Sequence, residues 1–276
     1  MKLDVYCSLW VYPGTPAHSA RSIAAAGYDG LEAIWPETAS EQSVLVEATR
    51  AEGLKLAPLL LLDGETPAEE ADRFRSRLEQ ALPYDPDRIV VHAGRDRWPL
   101  AEAIALFERI VATEAELGVR CAHETHRCRP LGFPWTTAAI LDAVPDLWLC
   151  CDFSHWVLVC ERLLEDETEA VAAAARRALH LHARVGTTQA PQVVDPADPR
   201  VAPQRAIFEG WWEAVWDSQA AAGFERSTLT PEYCPPPYQA STADAGALPA
   251  LLAQACEWQA ARARERFERR FSAAPS

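Results

Sequence analysis

Short apolar runs alternate along this chain with longer stretches whose apolar positions recur at helical spacing. The pattern predicts strands over Leu3–Leu9, Tyr28–Trp35, Leu54–Leu62 and Arg88–His92. A fifth strand opens at Val119 and Cys121 and runs straight into charge, and three more cover Leu147–Asp152, Ala178–Val185 and Ser227–Tyr233. Between them the spacing predicts helices over Pro16–Ala26, Ser40–Glu52, Pro67–Leu82, Pro99–Leu117, Thr136–Val144, Leu163–Arg177 and Ala206–Ala222. A long helix, Ala243–Phe271, closes the chain. Glycines at Gly27, Gly53, Gly118 and Gly223 mark helix stops before the next strand.

Eight such β/α units in one chain of 276 residues point to an α/β fold, a single (β/α)8 TIM barrel spanning 1–276. A doubly wound open sheet is the alternative, but no glycine-rich phosphate loop follows the first strand. Two connections are long and proline-rich: 186–203 after strand seven, and Pro235-Pro236-Pro237-Tyr238 after strand eight. In a barrel, loops of this kind follow strand C-termini, where substrate contacts are placed.

Half of the chain is apolar (49%), enough for a large core, and its net charge is −14. That charge weighs against nucleic acid and anionic membranes, both of which call for clustered Lys and Arg. No apolar run approaches a membrane span, and the segment from Met1 to Val5 reads as the start of strand one, not as a signal peptide. The eight cysteines form no CxxC pair, which fits buried free thiols in a reducing cytoplasm. Lys2 and Lys55 are the only lysines, and neither ends a late strand, so Schiff-base chemistry has no candidate nucleophile.

The candidate chemistry lies where apolar strands end abruptly in charge. Glu124, Asp152, His182 and Glu232 end strands five to eight, and in a closed barrel they converge at one rim. Three carboxylates and an imidazole, with no thiolate, suit Mn²⁺, Mg²⁺, Co²⁺ or Zn²⁺ better than a structural zinc. A lone carboxylate at a strand end is commonly a helix cap; four together call for a cation. His126 shares the inward face of Glu124, whereas His123 alternates toward the helices and reads as structural. His155 lies three residues past Asp152 and can reach back over the same rim. His180 falls one layer below His182. His92, with Gly94, and Glu32 end strands four and two as candidate substrate contacts.

The set Glu124-Thr125-His126, Asp152-Phe153-Ser154-His155, His180-Leu181-His182 and Pro231-Glu232 resembles the xylose-isomerase-like barrel superfamily, over roughly Leu3 to Tyr238. That superfamily includes sugar and sugar-phosphate isomerases and epimerases, inosose dehydratases and the endonuclease IV branch. The resemblance implies that Glu124, Asp152, His182 and Glu232 bind a divalent ion and that Glu124 and Glu232 form the catalytic acid/base pair. It further implies that His155 contacts a substrate hydroxyl or carbonyl and that Arg184 is a candidate substrate contact. Many relatives carry Lys-Asp after the strand-seven histidine; here Ala183-Arg184-Val185 stands instead.

Such a site supports proton abstraction next to a carbonyl, with the resulting enediolate stabilised by the metal, giving isomerisation or epimerisation of a small sugar or polyol ketone. Loss of a β-hydroxyl on the same residues would make it a dehydratase. A phosphodiesterase of the endonuclease IV type needs more ligands and a basic groove, and a catalytically silent sugar-binding barrel would bind without proton exchange. An assembly of identical chains is compatible with each of these readings.

Overall fold

The computed structural model describes residues 1–238 and 247–272. Its strands are β1 (Lys2–Ser8), β2 (Gly30–Ile34), β3 (Lys55–Leu61), β4 (Val90–His92), β5 (Ala122–Glu124), β6 (Leu149–Cys151), β7 (Ala178–His182) and β8 (Arg226–Thr230). They pair in sequence order, every pair parallel, and β8 returns to β1, so the sheet closes into a barrel. The single (β/α)8 barrel expected from the sequence is therefore the fold.

The helices are α1 (Pro16–Ala25), α2 (Ala39–Ala51), α3 (Pro67–Ala81), α4 (Leu100–Leu117), α5 (Pro134–Ala143), α6 (Phe153–Cys160), α7 (Thr168–Arg176), α8 (Ala202–Ala221) and α9 (Leu248–Ser272). Threonines start the first three: Thr15, Thr38 and Thr66 each accept from the backbone N–H three residues on. In α2 and α3 that third residue is Glu41 or Glu69, the spacing of a capping box. Gly118 ends α4 at φ +70°, a left-handed conformation that would strain a side chain. The start of the expected helix Ala243–Phe271 lies outside the described residues; its described part begins at Leu248.

The sequence pattern misses α6. One helix was expected between strands six and seven, over Leu163–Arg177, and two occur. Phe153–Cys160 is apolar on nearly every face, so it shows no helical stripe and reads as an extension of the strand before it.

Alternation along each strand separates two cores. Leu59, Val90, Ala122, Cys150 and Leu179 fill the barrel interior, while the larger cluster, with Leu31, Ala33 and Leu60 among its strand residues, packs against the helices. At the N-terminal rim Lys55 and Arg226 pair with Asp4, Arg226 also pairs with Asp87, and Tyr6 donates to Asp87. That network closes the bottom of the barrel and leaves the C-terminal rim for chemistry.

Candidate metal and proton-transfer site

Glu124 is the last residue of β5, Asp152 follows β6, His182 ends β7, and Glu232 lies two residues past β8. Parallel pairing of these strands brings the four onto one rim, and a ligand atom from each lies within 4.8 Å of the others. All four are buried. His182 Nδ1 is 3.3 Å from Glu124 Oε2 and 3.3 Å from Glu232 Oε2.

Local bonds hold each member. Thr125 ties β5 to β6: its hydroxyl donates to the Asp152 carbonyl at 3.0 Å and accepts from the Asp152 N–H at 2.8 Å. Asp152 Oδ1 accepts from Ser154 N at 2.8 Å and so caps α6, which leaves Oδ2 turned toward the cluster. The helix-cap role weighed for a lone carboxylate is thus real here, but it uses only one oxygen.

Histidines surround Glu124. His92 donates Nε2–H to Glu124 Oε2, and His155 Nε2 is 3.5 Å from Oε1. Burial disfavours the Glu124 carboxylate, yet the pull of His92 and His182 outweighs it and holds its pKa well below the ordinary range. The His126 ring stacks between His92 and His155, with centroids 4.5 and 4.1 Å away. Its Nδ1–H donates to the Arg127 carbonyl, so Nε2 accepts from the Tyr238 hydroxyl at 2.7 Å. Burial first, then His155 and His92, push the His126 pKa down and keep it neutral.

Two residues read from the sequence as substrate contacts sit deeper than that. Glu32 is 0% exposed. Its Oε2 lies 3.2 Å from His182 Nε2 and accepts from Thr230 Oγ1 at 3.0 Å, so it backs the His182 ring from inside the barrel. Burial opposes its charge, but His182 and His180 prevail and hold its pKa at about 2. Arg184 is 1% exposed. Its guanidinium donates to Ser154 Oγ (3.0 Å), Asp152 Oδ2 (2.5 Å), the Glu232 carbonyl (3.2 Å) and His155 Nε2 (2.9 Å). Since arginine only donates, His155 Nε2 must be the unprotonated nitrogen.

The remaining candidates divide. His92, His126 and His155 stand with the cluster. His180 lies below it, bonded to Thr228 (2.7 Å) and Thr230 (3.0 Å). His123 faces the helices, its Nε2 2.7 Å from Glu114 Oε1. Tyr238 was not singled out from the sequence as a site residue, although it meets His126 and its ring lies 5.1 Å from the Arg184 guanidinium. The available signal was the stiff triproline run Pro235-Pro236-Pro237, three residues past Glu232 and immediately before Tyr238.

The donor chemistry suits a divalent cation. Glu124 Oε1 and His182 Nδ1 are buried without a hydrogen-bond partner among the described residues, and both belong to the four-residue cluster. Buried polar atoms are ordinarily satisfied, and a cation accepting both lone pairs would satisfy these.

Comparisons agree with this fold. The D-allulose 3-epimerase of Methylomonas sp. superposes with a TM-score of 0.60 at 15% identity, covering 98% of each chain. The probable 3-DHS dehydratase of Bacillus anthracis gives 0.59 at 15% identity, covering 92% of this chain and 97% of its own. A xylose isomerase-like TIM barrel protein from Mycobacterium smegmatis, solved in complex with magnesium, gives 0.61 at 11%, covering 95% and 97%. No curated protein matches the sequence. The family model described as xylose isomerase-like TIM barrel matches residues 20–259, most of the chain. The protein therefore belongs to the xylose isomerase-like TIM barrel family.

Proposed function

We propose that this protein is a divalent-metal-dependent isomerase or epimerase of a small sugar or related polyol ketone, acting by proton transfer at the carbon next to a carbonyl. One observation carries the reading: three carboxylates and His182 converge at the C-terminal rim with Glu124 Oε1 and His182 Nδ1 left unbonded. Glu124, Asp152, His182 and Glu232 would hold the ion, and their O/N donor set suits Mn²⁺, Mg²⁺, Co²⁺ or Zn²⁺. When bound, such an ion supplies Lewis acidity to a carbonyl and its neighbouring hydroxyl.

Glu232 is the proton acceptor in this reading. It is the most open of the four, at 5% exposure, whereas Glu124 is at 1% and clasped by His92. Glu124 acts from the other side, and His155, neutral with Nε2 taken by Arg184 and Nδ1–H unbonded among the described residues, orients a substrate hydroxyl. His92 and His126 border the substrate. The epimerase and dehydratase among the structural neighbours work in the same fold, which supports enzymatic use of this rim. Unpaired cysteines, most of them buried, fit a reducing cytoplasm, and no described helix is long and apolar enough to cross a membrane.

The test is C–H exchange with deuterium from solvent, followed by NMR over ketoses, inososes and hydroxypyruvate. Wild type should exchange at least one, and Glu232→Gln, which keeps shape but cannot take up the proton, should lose exchange by a factor of at least about 10² while remaining folded. Full exchange by the Glu232→Gln protein would remove Glu232 as the base. Product identity then separates isomerase, epimerase and dehydratase.

A further inference from the structure

We infer that Arg184 is a built-in cation of the carboxylate cluster, a positioning residue that shares Asp152 and Glu232 with the divalent ion and keeps the cluster assembled when the ion is absent. The inference rests on reading Glu124, Asp152, His182 and Glu232 as the ion's site. It adds a role that neither the donor set nor the family match assigns.

The geometry supports it in three steps. First, the guanidinium is committed to the protein. It donates to Asp152 Oδ2, Ser154 Oγ, His155 Nε2 and the Glu232 carbonyl, approaches Glu232 Oε2 to 3.4 Å, and is covered by the Tyr238 ring. A side chain so fully used has no donor pair left to clasp a substrate carboxylate or phosphate.

Second, its partners divide the cluster. Asp152 and Glu232, on one side, already have a positive neighbour. Glu124 and His182, on the other, hold the two unbonded atoms, Oε1 and Nδ1. One side of the cluster thus has a fixed cation from within, and the side with the unbonded atoms is the one left for the ion.

Third, the charges add simply. Among the rim groups, the carboxylates of Glu124, Asp152 and Glu232 against the one guanidinium of Arg184 leave −2, which a single divalent ion would cancel, while Glu32 below them is paired with His182 and His180. Without Arg184 the same ion would face −3. A buried carboxylate set without compensation is costly, and Arg184 relieves part of that cost before any ion arrives.

Two opposite consequences follow for Arg184→Gln, which keeps hydrogen-bonding reach and drops the charge. Its affinity for Mn²⁺, read by EPR of the free ion, should rise at least about tenfold, because the ion no longer competes with a cation. Its melting temperature in EDTA should fall below that of wild type in EDTA, and added Mn²⁺ should restore much more of it than in wild type. Arg184→Lys, which restores the charge, should bring Mn²⁺ affinity back to within about threefold of wild type.

Unchanged or weaker Mn²⁺ binding by folded Arg184→Gln would overturn the inference, and so would failure of the lysine variant to return affinity toward wild type. If Arg184→Gln folds only with Mn²⁺ present, the inference is supported, since the ion then replaces the missing charge. If it is unfolded both with and without Mn²⁺, the inference fails, because the ion should have compensated. Wild type that binds no Mn²⁺ defeats the metal-site reading itself, which sets that failure apart from failure of the role given to Arg184.

Discussion

Glu32→Gln tests the support beneath His182. In the structure Glu32 Oε2 lies 3.2 Å from His182 Nε2, 3.3 Å from His180 Nε2 and 3.0 Å from Thr230 Oγ1. The amide keeps an acceptor oxygen at nearly the same place, so shape and one hydrogen bond survive and only the charge is lost. A hydrogen bond to a charged partner contributes about 1.5–3 kcal/mol, against about 0.5–1.5 for a neutral one. The difference, about 1–1.5 kcal/mol, corresponds to roughly tenfold in affinity. Partners that hold a ligating histidine from behind typically matter by 10–100-fold in metal affinity, so tenfold weaker Mn²⁺ binding is the lower bound expected. The assay is a Mn²⁺ titration followed by EPR, with circular dichroism to verify the fold. Thr230→Val, which removes a bond to Glu32 without touching the charge, should show a smaller loss. Mn²⁺ affinity within threefold of wild type in folded Glu32→Gln would refute the idea that this carboxylate tunes His182.

Two further outcomes are expected. If the site is held at about 100 times its dissociation constant for the ion, stripping with EDTA should cost about 2.7 kcal/mol, or roughly 5–10 °C in melting temperature, and an identical melt would mean the carboxylates are satisfied by protein groups alone. In EDTA the urea midpoint should fall between pH 7.5 and 5.5. Burial lowers the pKa of His126, His155 and His180, so below about 6.5 the unfolded chain takes up protons that the folded one refuses, at up to about 1.4 kcal/mol per pH unit for each histidine. His182 works the other way: burial opposes its charge, but Cys150, Glu232, Glu32 and Glu124 raise its pKa, so one histidine stands against three. A midpoint that holds or rises on acidification would reject this accounting.

The legible part of the site is the part written locally. Glu124, Asp152 and His182 each interrupt an apolar run at the last strand residue or the one after it, and such a break is visible without any knowledge of neighbours. Strand alternation sorted His123 outward and Glu124 inward, and the structure places both that way. Layer depth was harder. Glu32 and His92 both end apolar strands, yet Glu32 is sealed beneath His182 while His92 reaches the rim at 8% exposure. That difference depends on the stagger between strands around the barrel, which no single strand encodes. The fate of Arg184 was invisible for a similar reason, since its partners come from two distant segments, 152–155 and 232–238. Tyr238 lies beyond a strand end altogether, and α6 carries no amphipathic stripe to announce it.

The stagger also explains why β7 supplies the basic groups. His180, His182 and, two residues past the strand, Arg184 follow the two-residue period that keeps side chains on the inner face. Each meets acids at its own height: His180 lies 3.3 Å from Glu32, His182 lies between Glu32 below and Glu124 and Glu232 above, and Arg184 joins Asp152 to Glu232. One strand thus forms a rib of imidazole, imidazole and guanidinium against carboxylates from β2, β5, β6 and β8. The rib changes from a ring that can lend a lone pair to a fixed cation at the rim, where three carboxylates crowd together. A second imidazole in place of Arg184 would offer another ligand but leave the cluster one charge more negative. The guanidinium offers no lone pair and therefore cannot become a ligand. Its presence at that height would leave the unbonded atoms of Glu124 and His182 as the ones free for an ion, while Tyr238 and His126 pack against Arg184 and His155.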